Sequence, residues 1–539
     1  MRKEKAVWIL IFLFASFIYF PTAVRPIRDA ESKYVEIPRE FFVSGDWLSP
    51  KLDFVNYYTK PPFSFWITAI GYKIFGISPS VARSINIIWA FLCSLLLGIF
   101  AEELFGRWIG PITSAIFLLI SEVFAYCLDA GIEFSLIFFI ISSILFFWKY
   151  WEKGKKVYLL FFYLSMGLGY MTKGLLGFCI PSAVIFFFLL FTKKLHKLFE
   201  IIYLPGITLF LVLVLPWTLI MSLKDPDFFS YFIINEHIGR ITGQRDTKEA
   251  IFPTSSFLAH VAGEFFPWIM YIHIIAKRLF FGIKEKEEKF ILLFVWSAIP
   301  LLLFSISKNK VDFYGLHVYP GLTVVLSYEI KRLFEKRENL GLWAYPWIFV
   351  FILSAISFFI IGIKPDLFDI PSVSVARFFL LISSFFGLFI FILLKKGRLK
   401  LSSFLISLYM LLFFLCTERM YIADFDNDSM KFATDVLKKV KKDYPIFCSN
   451  LPEFSHVAIV NFYTGKKVYI LRGKENLPGY EERRRLYIDD KDFLRILEEK
   501  GKAFIIGDTE DVKERLRRLG LRYKILCSSS NRSLFLVQK

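Results

Sequence analysis

Cysteine is scarce and irregularly placed in this chain of 539 residues. The six cysteines follow neither Cys-x-x-Cys nor Cys/His spacing, so the sequence signals neither a zinc site nor a disulfide framework. They are Cys93, Cys127, Cys179, Cys416, Cys448 and Cys527, and the last two would pair only if they face each other. No glycine-rich phosphate loop opens a helix in the C-terminal part, which argues against nucleotide binding there. Charged residues make up only 21% of the chain, and this low share disfavours an ordinary soluble enzyme.

Apolar residues dominate instead: they make up 56% of the chain, 19% is aromatic, and the mean hydropathy is +0.53. About 20 apolar residues cross the hydrocarbon layer of a membrane as a helix. We identify thirteen such runs between Ala6 and Cys416, and the first exceeds the apolar core of a signal peptide, so we expect it to remain uncleaved. The runs are 6–25, 81–101, 108–127, 132–148, 157–172, 175–192, 200–222, 263–276, 290–306, 313–330, 342–363, 373–394 and 401–417.

The basic residues predict how these runs are oriented. Lys and Arg number 66 against 48 Asp and Glu, and they concentrate in alternate connectors, which is typical of cytoplasmic loops. The N-terminus is then cytoplasmic, and the C-terminus lies outside together with long loops at 26–62 and 223–262. This pattern predicts a multi-pass protein of the bacterial inner membrane, and it accounts for much of the net charge of +18 without a nucleic-acid partner.

The composition changes after Cys416 to that of a soluble domain. Short strands alternate there with short helices, which predicts a small α/β layer domain. The predicted strands are 446–449, 468–471, 504–506, 523–527 and 534–537, and the predicted helices are 430–440, 493–500 and 511–519. The expected fold is therefore a polytopic α-helical membrane part, residues 1–420, followed by an extracytoplasmic α/β domain, residues 421–539.

Apolar and charged residues interleave in the first outer loop. This spacing predicts a helix at the membrane surface, and a second such helix is expected from Phe65 to Phe75. One side of the first helix would carry Val35, Phe41 and Phe42, and the other would carry Lys33, Glu36 and Glu40.

The string from Glu31 to Trp66 resembles the first periplasmic loop of bacterial GT-C glycosyltransferases, of the aminoarabinose transferase and protein mannosyltransferase type. Four further motifs match in the same order and on the same predicted face. The matching segments are Tyr34, Gly45-Asp46-Trp47 and Lys60-Pro61-Pro62 in the first loop, then Leu128-Asp129-Ala130, Thr172-Lys173-Gly174, Glu236-His237-Ile238-Gly239-Arg240 and Lys310 to Tyr314. The resemblance covers nearly the whole membrane part and implies the GT-C fold.

Enzymes of this family transfer a sugar from a polyprenyl phosphate to an acceptor at the outer face. The resemblance implies cations for the leaving lipid phosphate, and Lys60, Lys173 and Arg240 are the candidates. Anchoring to lipid headgroups is the alternative for Lys60 and Arg240, and snorkelling is the alternative for Lys173. Further candidates are Tyr58, His237 and Tyr314 at the phosphate, with Lys33 and Tyr34 supporting the first loop.

Three carboxylates, Asp29, Glu31 and Asp129, compete to act as base or to orient the donor. The family places an Asp-Glu pair four and three residues before the tyrosine. This chain has Ala30 and Glu31 there, with Asp29 one position early, so the assignment stays open. Asp129 has a structural alternative, which is pairing with Lys33 or Arg28.

The same family resemblance disfavours a bound metal. In the aminoarabinose transferases a Glu just before Lys-Pro-Pro is thought to share a metal with the histidine of the large loop, and here Thr59 stands in its place. Threonine is a poor ligand for divalent metals, so His237 is expected to bond a phosphate or a loop carbonyl.

The resemblance favours an inverting glycosyltransferase that transfers aminoarabinose or a related sugar to a lipid A phosphate. Transfer to protein Ser or Thr, as in the mannosyltransferases, is the alternative acceptor chemistry. A transporter or flippase for lipid-linked sugars would require ionisable residues deep within helices or two matching halves, and neither pattern is evident.

Overall fold

The structure is a computed structural model, and it describes residues 2–28, 31–242, 253–308, 310–363, 373–428, 435, 437, 444–449, 454–471, 486–529 and 532–539. Each of the thirteen apolar runs contains a helix. The helices up to the second outer loop are α1 Arg2–Tyr19, α2 Ser32–Ser44, α3 Phe63–Phe75, α4 Pro79–Phe105, α5 Ile109–Leu118, α6 Ser121–Cys127, α7 Glu133–Lys153, α8 Val157–Lys173, α9 Leu176–Phe191 and α10 Leu204–Lys224. Those that follow are α11 Thr254–Glu264, α12 Ile272–Lys284, α13 Glu288–Ile306, α14 Tyr319–Lys336, α15 Leu340–Ile363, α16 Val373–Lys395 and α17 Leu399–Asp428.

Among the described residues, eight helices are long and apolar enough to cross a membrane, or up to ten if two bent pairs each count as one span. The remaining three runs form α8, α9 and α14, which have 17, 16 and 18 residues. The chain is a multi-pass helical membrane protein, as the sequence predicts. The count of thirteen spans stays a prediction.

Two of the runs are not straight helices. Run 108–127 breaks between α5 and α6 with a bend of 61°, and run 263–276 falls on the break between α11 and the helical stretch from Trp268 to Lys284, with a bend of 96°. Pro267 lies in this second break, where its ring removes a backbone donor that a continuous helix would need. The expectation of one span over 263–276 stays a prediction, because a bent pair of helices forms either a broken span or a re-entrant loop.

The C-terminal part contains a six-stranded sheet. Its strands are β3 Ile446–Ser449, β4 Val468–Leu471, β5 Tyr487–Ile488, β6 Lys502–Asp508, β7 Arg522–Ser529 and β8 Arg532–Gln538, after a small hairpin of β1 Lys51–Leu52 and β2 Val55–Asn56 in the first loop. The order is β5-β4-β3-β6-β8-β7, with β3 to β6 parallel and β7 and β8 antiparallel to their neighbours. Three helices accompany the sheet, α18 Phe454–Thr464, α19 Asp490–Lys500 and α20 Thr509–Arg518.

The five predicted strands and two of the predicted helices are confirmed. The sequence did not predict α18 or β5, and the predicted helix at 430–440 lies almost entirely outside the described residues. Cys448 on β3 and Cys527 on β7 are separated by two intervening strands, hence by about 14 Å at the usual strand spacing. A disulfide does not span that distance, so Cys448 and Cys527 are not bonded to each other.

The helix α2 packs beneath the C-terminal part instead of resting with a charged face in solvent. Val35 and Phe41 are buried as expected, but Glu36 and Glu40 are also buried, while Phe42 is 42% exposed. The expected polar and apolar sides are therefore wrong for these three residues. The helix α2 packs on α3, β1 and α18, while Glu36 pairs with Arg39 and Glu40 accepts the Phe54 backbone N–H, and sequence periodicity does not show these tertiary contacts.

Hydrogen bonds fix this contact between the first loop and α18. Asn461 Nδ2 donates to the buried carboxylate of Asp53 at 2.8 Å, and the backbone N–H of Ile27 donates to Tyr463 Oη at 3.2 Å. Asp53 lies in the turn of the β1–β2 hairpin, where the next residue, Phe54, donates its N–H to Glu40 at 3.0 and 3.1 Å. The C-terminal part thus holds the segment that leads directly to Lys60.

Candidate functional site

The first loop and the segment after α10 meet at Tyr58. Its hydroxyl bonds the carboxylate of Asp225, and Asn56 Nδ2 donates to the same hydroxyl at 3.1 Å. Trp217 Nε1 donates to the Leu48 carbonyl oxygen at 3.1 Å, which joins α10 to the loop a second time. The aromatic rings of Tyr58 and its neighbours form a buried cluster at this junction. Two segments that the sequence predicts to be outer loops therefore build one compact surface.

Lys60 lies within this surface and pairs with Glu236. Both side chains are buried, and the ammonium group also donates to the Thr59 carbonyl oxygen at 3.1 Å. Glu236 belongs to a π-helical segment, Ser230–Ile238, and such segments are frequent at functional sites. A buried lysine of this kind has a fixed position, in contrast to one that extends freely to lipid headgroups.

A second buried pair joins Lys173, the last residue of α8, to Glu133, the first residue of α7. His317 Nε2 lies 3.5 Å from the other oxygen of Glu133. The Lys173 ammonium group also faces the rings of Phe313 at 4.9 Å and Tyr314 at 5.7 Å. This environment does not match a lysine that snorkels to water, because Lys173 is only 7% exposed.

His237 connects the two pairs. It follows Glu236, and its Nε2 accepts the backbone N–H of Leu175 at 3.2 Å, two residues after Lys173. Its Nδ1 lies 2.6 Å from the Phe232 carbonyl oxygen, and because a carbonyl only accepts, Nδ1 carries the proton. Gly174 has φ +72°, and a Cβ there would overlap the imidazole ring, so only glycine allows this approach.

Glu31 occupies a structural position. Its carboxylate binds the buried Arg83 through two contacts, one of 2.9 Å, and accepts the Ala130 backbone N–H at 2.7 Å. Arg83 also donates to the carbonyl oxygens of Ala23, Arg25 and Pro26 at 2.5 to 2.9 Å. With both oxygens engaged and no exposed surface, Glu31 holds the start of the first loop against α4.

Asp129 remains accessible, since 19% of its side chain is exposed. It faces Arg25 and Arg28, each at 3.7 Å, so the predicted pairing with Arg28 is present. Burial, and then the negative charge of Glu31, raise the pKa of Asp129 to about 6, and the arginines limit the rise. A carboxyl with this pKa takes up or releases a proton near neutral pH. Asp29, the third candidate, lies outside the described residues.

The remaining candidates line the loop surfaces. The Lys33 ammonium group lies 5.2 Å from the centre of the Tyr34 ring, and this ring stacks on Phe65 with centroids 6.4 Å apart. Tyr314 stacks on Phe304 at 3.9 Å. Arg240 lies in a short helix, Gly239–Thr242, and its side chain is outside the described part of the structure.

Sequence reasoning missed the acidic partners of the two lysines. Glu133 lies at the first turn of an apolar run, where an ionisable residue is a functional candidate by default, and this signal could have identified it. His317, which was not among the candidates, lies at ion-pair distance from Glu133. No sequence signal pairs Asp225 with Tyr58.

Within the described ranges, no group of three or more His, Cys, Asp or Glu side chains is arranged to hold a metal ion. Thr59, where the resembling enzymes carry a glutamate, is 8% exposed, and its carbonyl oxygen accepts from Lys60. The arrangement around His237 thus serves hydrogen bonding between the two lysine-bearing segments.

This combination defines a class of protein. It consists of a bundle of membrane-length helices, a sheet packed on the first loop, and two buried lysines, one in that loop and one at the end of α8, and it agrees with the GT-C fold that the sequence predicts. Lysine ammonium groups in a site of low dielectric constant bind phosphate strongly when they are released from their carboxylates. The site therefore has the chemistry to bind and stabilise an anionic phosphate group.

Comparison with known proteins leads to the same class. Residues 59–220 match the family model described as dolichyl-phosphate-mannose-protein mannosyltransferase. Two undecaprenyl phosphate-α-4-amino-4-deoxy-L-arabinose arabinosyl transferases align with the chain, one from Pseudomonas fluorescens with 27% identity over 325 residues and one from Proteus mirabilis with 28% over 370. These alignments cover 59% and 67% of this chain but only 58% and 66% of the relatives, which is less than two thirds of their length.

Solved structures agree at the level of the fold. ArnT from Cupriavidus metallidurans bound to undecaprenyl phosphate superimposes with a TM-score of 0.81 over 98% of this chain and 97% of its own, at 20% identity. The oligosaccharyltransferase of Archaeoglobus fulgidus gives a TM-score of 0.55 at 11% identity, over 94% of this chain and 70% of its own. The predicted GT-C fold is confirmed, and the sequence similarity to aminoarabinose transferases agrees with it.

Proposed function

We propose that this protein transfers a sugar from a polyprenyl phosphate to a phosphate of lipid A at the outer face of the bacterial inner membrane. The donor is aminoarabinose-type or a related sugar. The N-terminus lies in the cytoplasm and the C-terminus in the periplasm, as the basic connectors predict. The membrane part, residues 1–420, carries out the transfer, and residues 421–539 form the periplasmic α/β domain.

The observation that carries this proposal is the pair of buried lysines joined through His237. A lipid phosphate that leaves the sugar gains negative charge, and fixed cations stabilise that charge more in the transition state than in the ground state. Lys60 and Lys173 are both buried, and their segments meet at the imidazole of His237. The solved ArnT structure holds undecaprenyl phosphate on the same fold, which supports this type of ligand.

We assign roles to the remaining candidate residues from their positions. Tyr58 and Tyr314 lie beside the two lysines and act as hydroxyl donors, and Arg240 supplies a further cation. Lys33 and Tyr34 support the first loop. We assign Glu31 to hold Arg83 and assign the proton-accepting or orienting role to Asp129, with Asp29 as the alternative. A lipid A phosphate is already largely ionised near neutral pH, since its second pKa is about 6, so orientation is sufficient for this acceptor.

Transfer to a protein hydroxyl is the second candidate, because the family model that matches residues 59–220 is that of a protein mannosyltransferase. A serine or threonine hydroxyl must lose its proton during attack, so this acceptor would make the base essential. The two candidates therefore differ in how strongly removal of Asp129 lowers the rate.

The test is a transfer assay with purified full-length protein, undecaprenyl-phosphate-linked aminoarabinose and lipid A. We expect release of undecaprenyl phosphate and modified lipid A, detected by mass spectrometry. Lys60→Ala and Lys173→Ala are each expected to lower kcat/KM by roughly 100-fold or more, as does removal of one preorganised charge-stabilising group in other enzymes. Lys308→Ala is the matched control, because Lys308 follows α13 near the same surface but is exposed.

Two outcomes would contradict the proposal. Unchanged turnover in both buried-lysine variants would exclude the phosphate site. Modification of a Ser/Thr-containing peptide without modification of lipid A would replace the acceptor and favour the second candidate. Mass spectrometry of lipid A and of surface proteins from a deletion strain checks the acceptor independently.

A further inference from the structure

A polar cavity of about 320 Å³ lies far from the candidate site. It is bounded by α12 and the last two turns of α14. The lining residues are Arg278, Tyr328, Lys331, Arg332, Glu335 and Lys336. Four of these six are cationic and one is anionic, so the lining favours an anion.

The length of α14 gives the distance between the cavity and the candidate site. It begins at Tyr319, two residues after His317, and ends at Lys336 in the cavity wall. Its 18 residues span about 27 Å at 1.5 Å per residue, which is close to the thickness of the hydrocarbon layer. The cavity therefore lies at the opposite membrane surface from the two buried lysine pairs.

Arg278 is held rigidly in this wall. Its guanidinium group stacks on the rings of Phe290 at 4.1 Å and Tyr328 at 5.1 Å. Glu287 accepts from one terminal nitrogen at 2.9 Å, and a carboxylate oxygen of Glu329 lies 3.7 Å from Nε. A guanidinium group fixed in this way presents its donors without losing further side-chain freedom.

Two lysines of the wall lack acidic partners. Lys331 donates to the backbone carbonyl oxygens of Phe105 at 3.4 Å and Arg107 at 3.2 Å, at the C-terminal end of α4. In the part of the chain that the structure describes, no carboxylate lies at ion-pair distance from Lys331 or Lys336. Of the three glutamates nearby, Glu287 and Glu329 pair with arginines, and Glu335 lies in the wall itself. Four cations thus face three carboxylates, and one net positive charge is left for an external anion.

The surface beside the cavity is apolar. Phe280 and Phe281, within one turn of Arg278 on α12, are 63% and 39% exposed. Exposed phenylalanines on a membrane protein contact acyl chains, so an anion that reaches this cavity along α12 arrives from the lipid phase. Basic pockets between membrane helices on the cytoplasmic side bind phosphate headgroups of lipids in other proteins.

We propose that this cavity binds the phosphodiester headgroup of an anionic phospholipid from the leaflet opposite the transferase site. The phosphate oxygens accept from Arg278, Lys331 and Lys336, and the acyl chains lie against the exposed rings of α12. The bound lipid fixes the ends of α4, α12 and α14 relative to one another. This site does not depend on the proposed transferase activity.

Binding is tested with full-length protein in neutral detergent, titrated with phosphatidylglycerol or phosphatidylcholine and followed by native mass spectrometry. We expect preferential binding of phosphatidylglycerol, weakened roughly tenfold or more in the double variant Lys331→Ala/Lys336→Ala. The matched control is Lys396→Ala/Lys400→Ala, which removes two exposed lysines from another basic connector. The charge-retaining variant Lys331→Arg/Lys336→Arg should retain most of the binding, which separates loss of charge from loss of folding.

Three results would overturn the proposal. Equal weakening in the double variant and in its matched control would mean general attraction to the membrane charge. Equal binding of phosphatidylglycerol and phosphatidylcholine would exclude recognition of the anionic headgroup. Thermal stabilisation by inorganic phosphate that matches stabilisation by phosphatidylglycerol would assign the cavity to a soluble anion.

Discussion

Replacing Asn461 by alanine tests how the C-terminal part is attached to the first loop. The side chain donates one hydrogen bond of 2.8 Å to the Asp53 carboxylate, and both residues have no exposed surface. A hydrogen bond to a charged group contributes about 1.5 to 3 kcal/mol. At 1.4 kcal/mol per factor of ten, the population of the undocked form should rise about ten- to a hundredfold.

Hydrogen exchange with mass spectrometry measures this population directly, because amides that exchange only on local opening report the free energy of that opening. Peptides covering the β1–β2 hairpin and α18 should exchange faster in Asn461→Ala by the same ten- to hundredfold. The hairpin leads to Lys60, so we also expect a higher KM for the polyprenyl-phosphate donor with a smaller change in kcat.

The matched control is Thr464→Ala on the same helix. Its hydroxyl bonds the carbonyl oxygen of Val460 within α18, so its removal affects the helix without touching the first loop. Unchanged exchange in the hairpin of Asn461→Ala would refute the reasoning, as would an equal increase in Thr464→Ala.

Three further predictions concern charge. Glu236→Gln should release Lys60 from its carboxylate and lower the KM for the donor, whereas Lys60→Ala should raise this KM. Steady-state kinetics measure both values. A KM that changes in the same direction in both variants would exclude competition between Glu236 and the donor phosphate for Lys60. The rate of transfer should rise with pH through about 6 as Asp129 ionises. Because the acceptor phosphate ionises in the same range, Asp129→Asn should lower the rate and make the pH profile shallower, leaving only the contribution of the acceptor. Burial, followed by the charges of Glu36 and Asp53, raises the pKa of Glu40 well above its ordinary value of 4.5. The protonated folded form is therefore favoured at low pH, and stability should fall as pH rises through the folded pKa; thermal unfolding should show a smaller fall in Glu40→Gln.

The membrane part was predictable because burial in lipid leaves a local signal. Long apolar runs marked the helices, and short strands alternating with short helices marked the C-terminal layer domain. The break at Pro267 was not anticipated, because a proline within an apolar run either kinks a helix or ends it, and packing decides between these outcomes.

The site was predictable only in part. Charge at an outer loop end, together with the family resemblance, identified Lys60 and Lys173 as candidates. Their partners Glu236 and Glu133 lie 176 and 40 residues away along the chain, and such pairings depend on tertiary structure. The burial of Glu36 and Glu40 was missed for the same reason, since it depends on how α2 packs against other elements, among them α18, which lies more than 400 residues later.

Each buried lysine is already paired with a carboxylate, so a glutamate competes with the proposed phosphate ligand for each lysine. A phosphate that enters must displace Glu236 or Glu133, and separating a buried ion pair costs about 3 to 5 kcal/mol when no new partner arrives. A neutral lipid has no anionic group to replace the glutamate at the lysine, so we expect it to bind weakly. In the proposed transfer, Glu236 and Glu133 pair with the lysines again once the sugar has moved, which weakens the binding of the released polyprenyl phosphate and favours turnover.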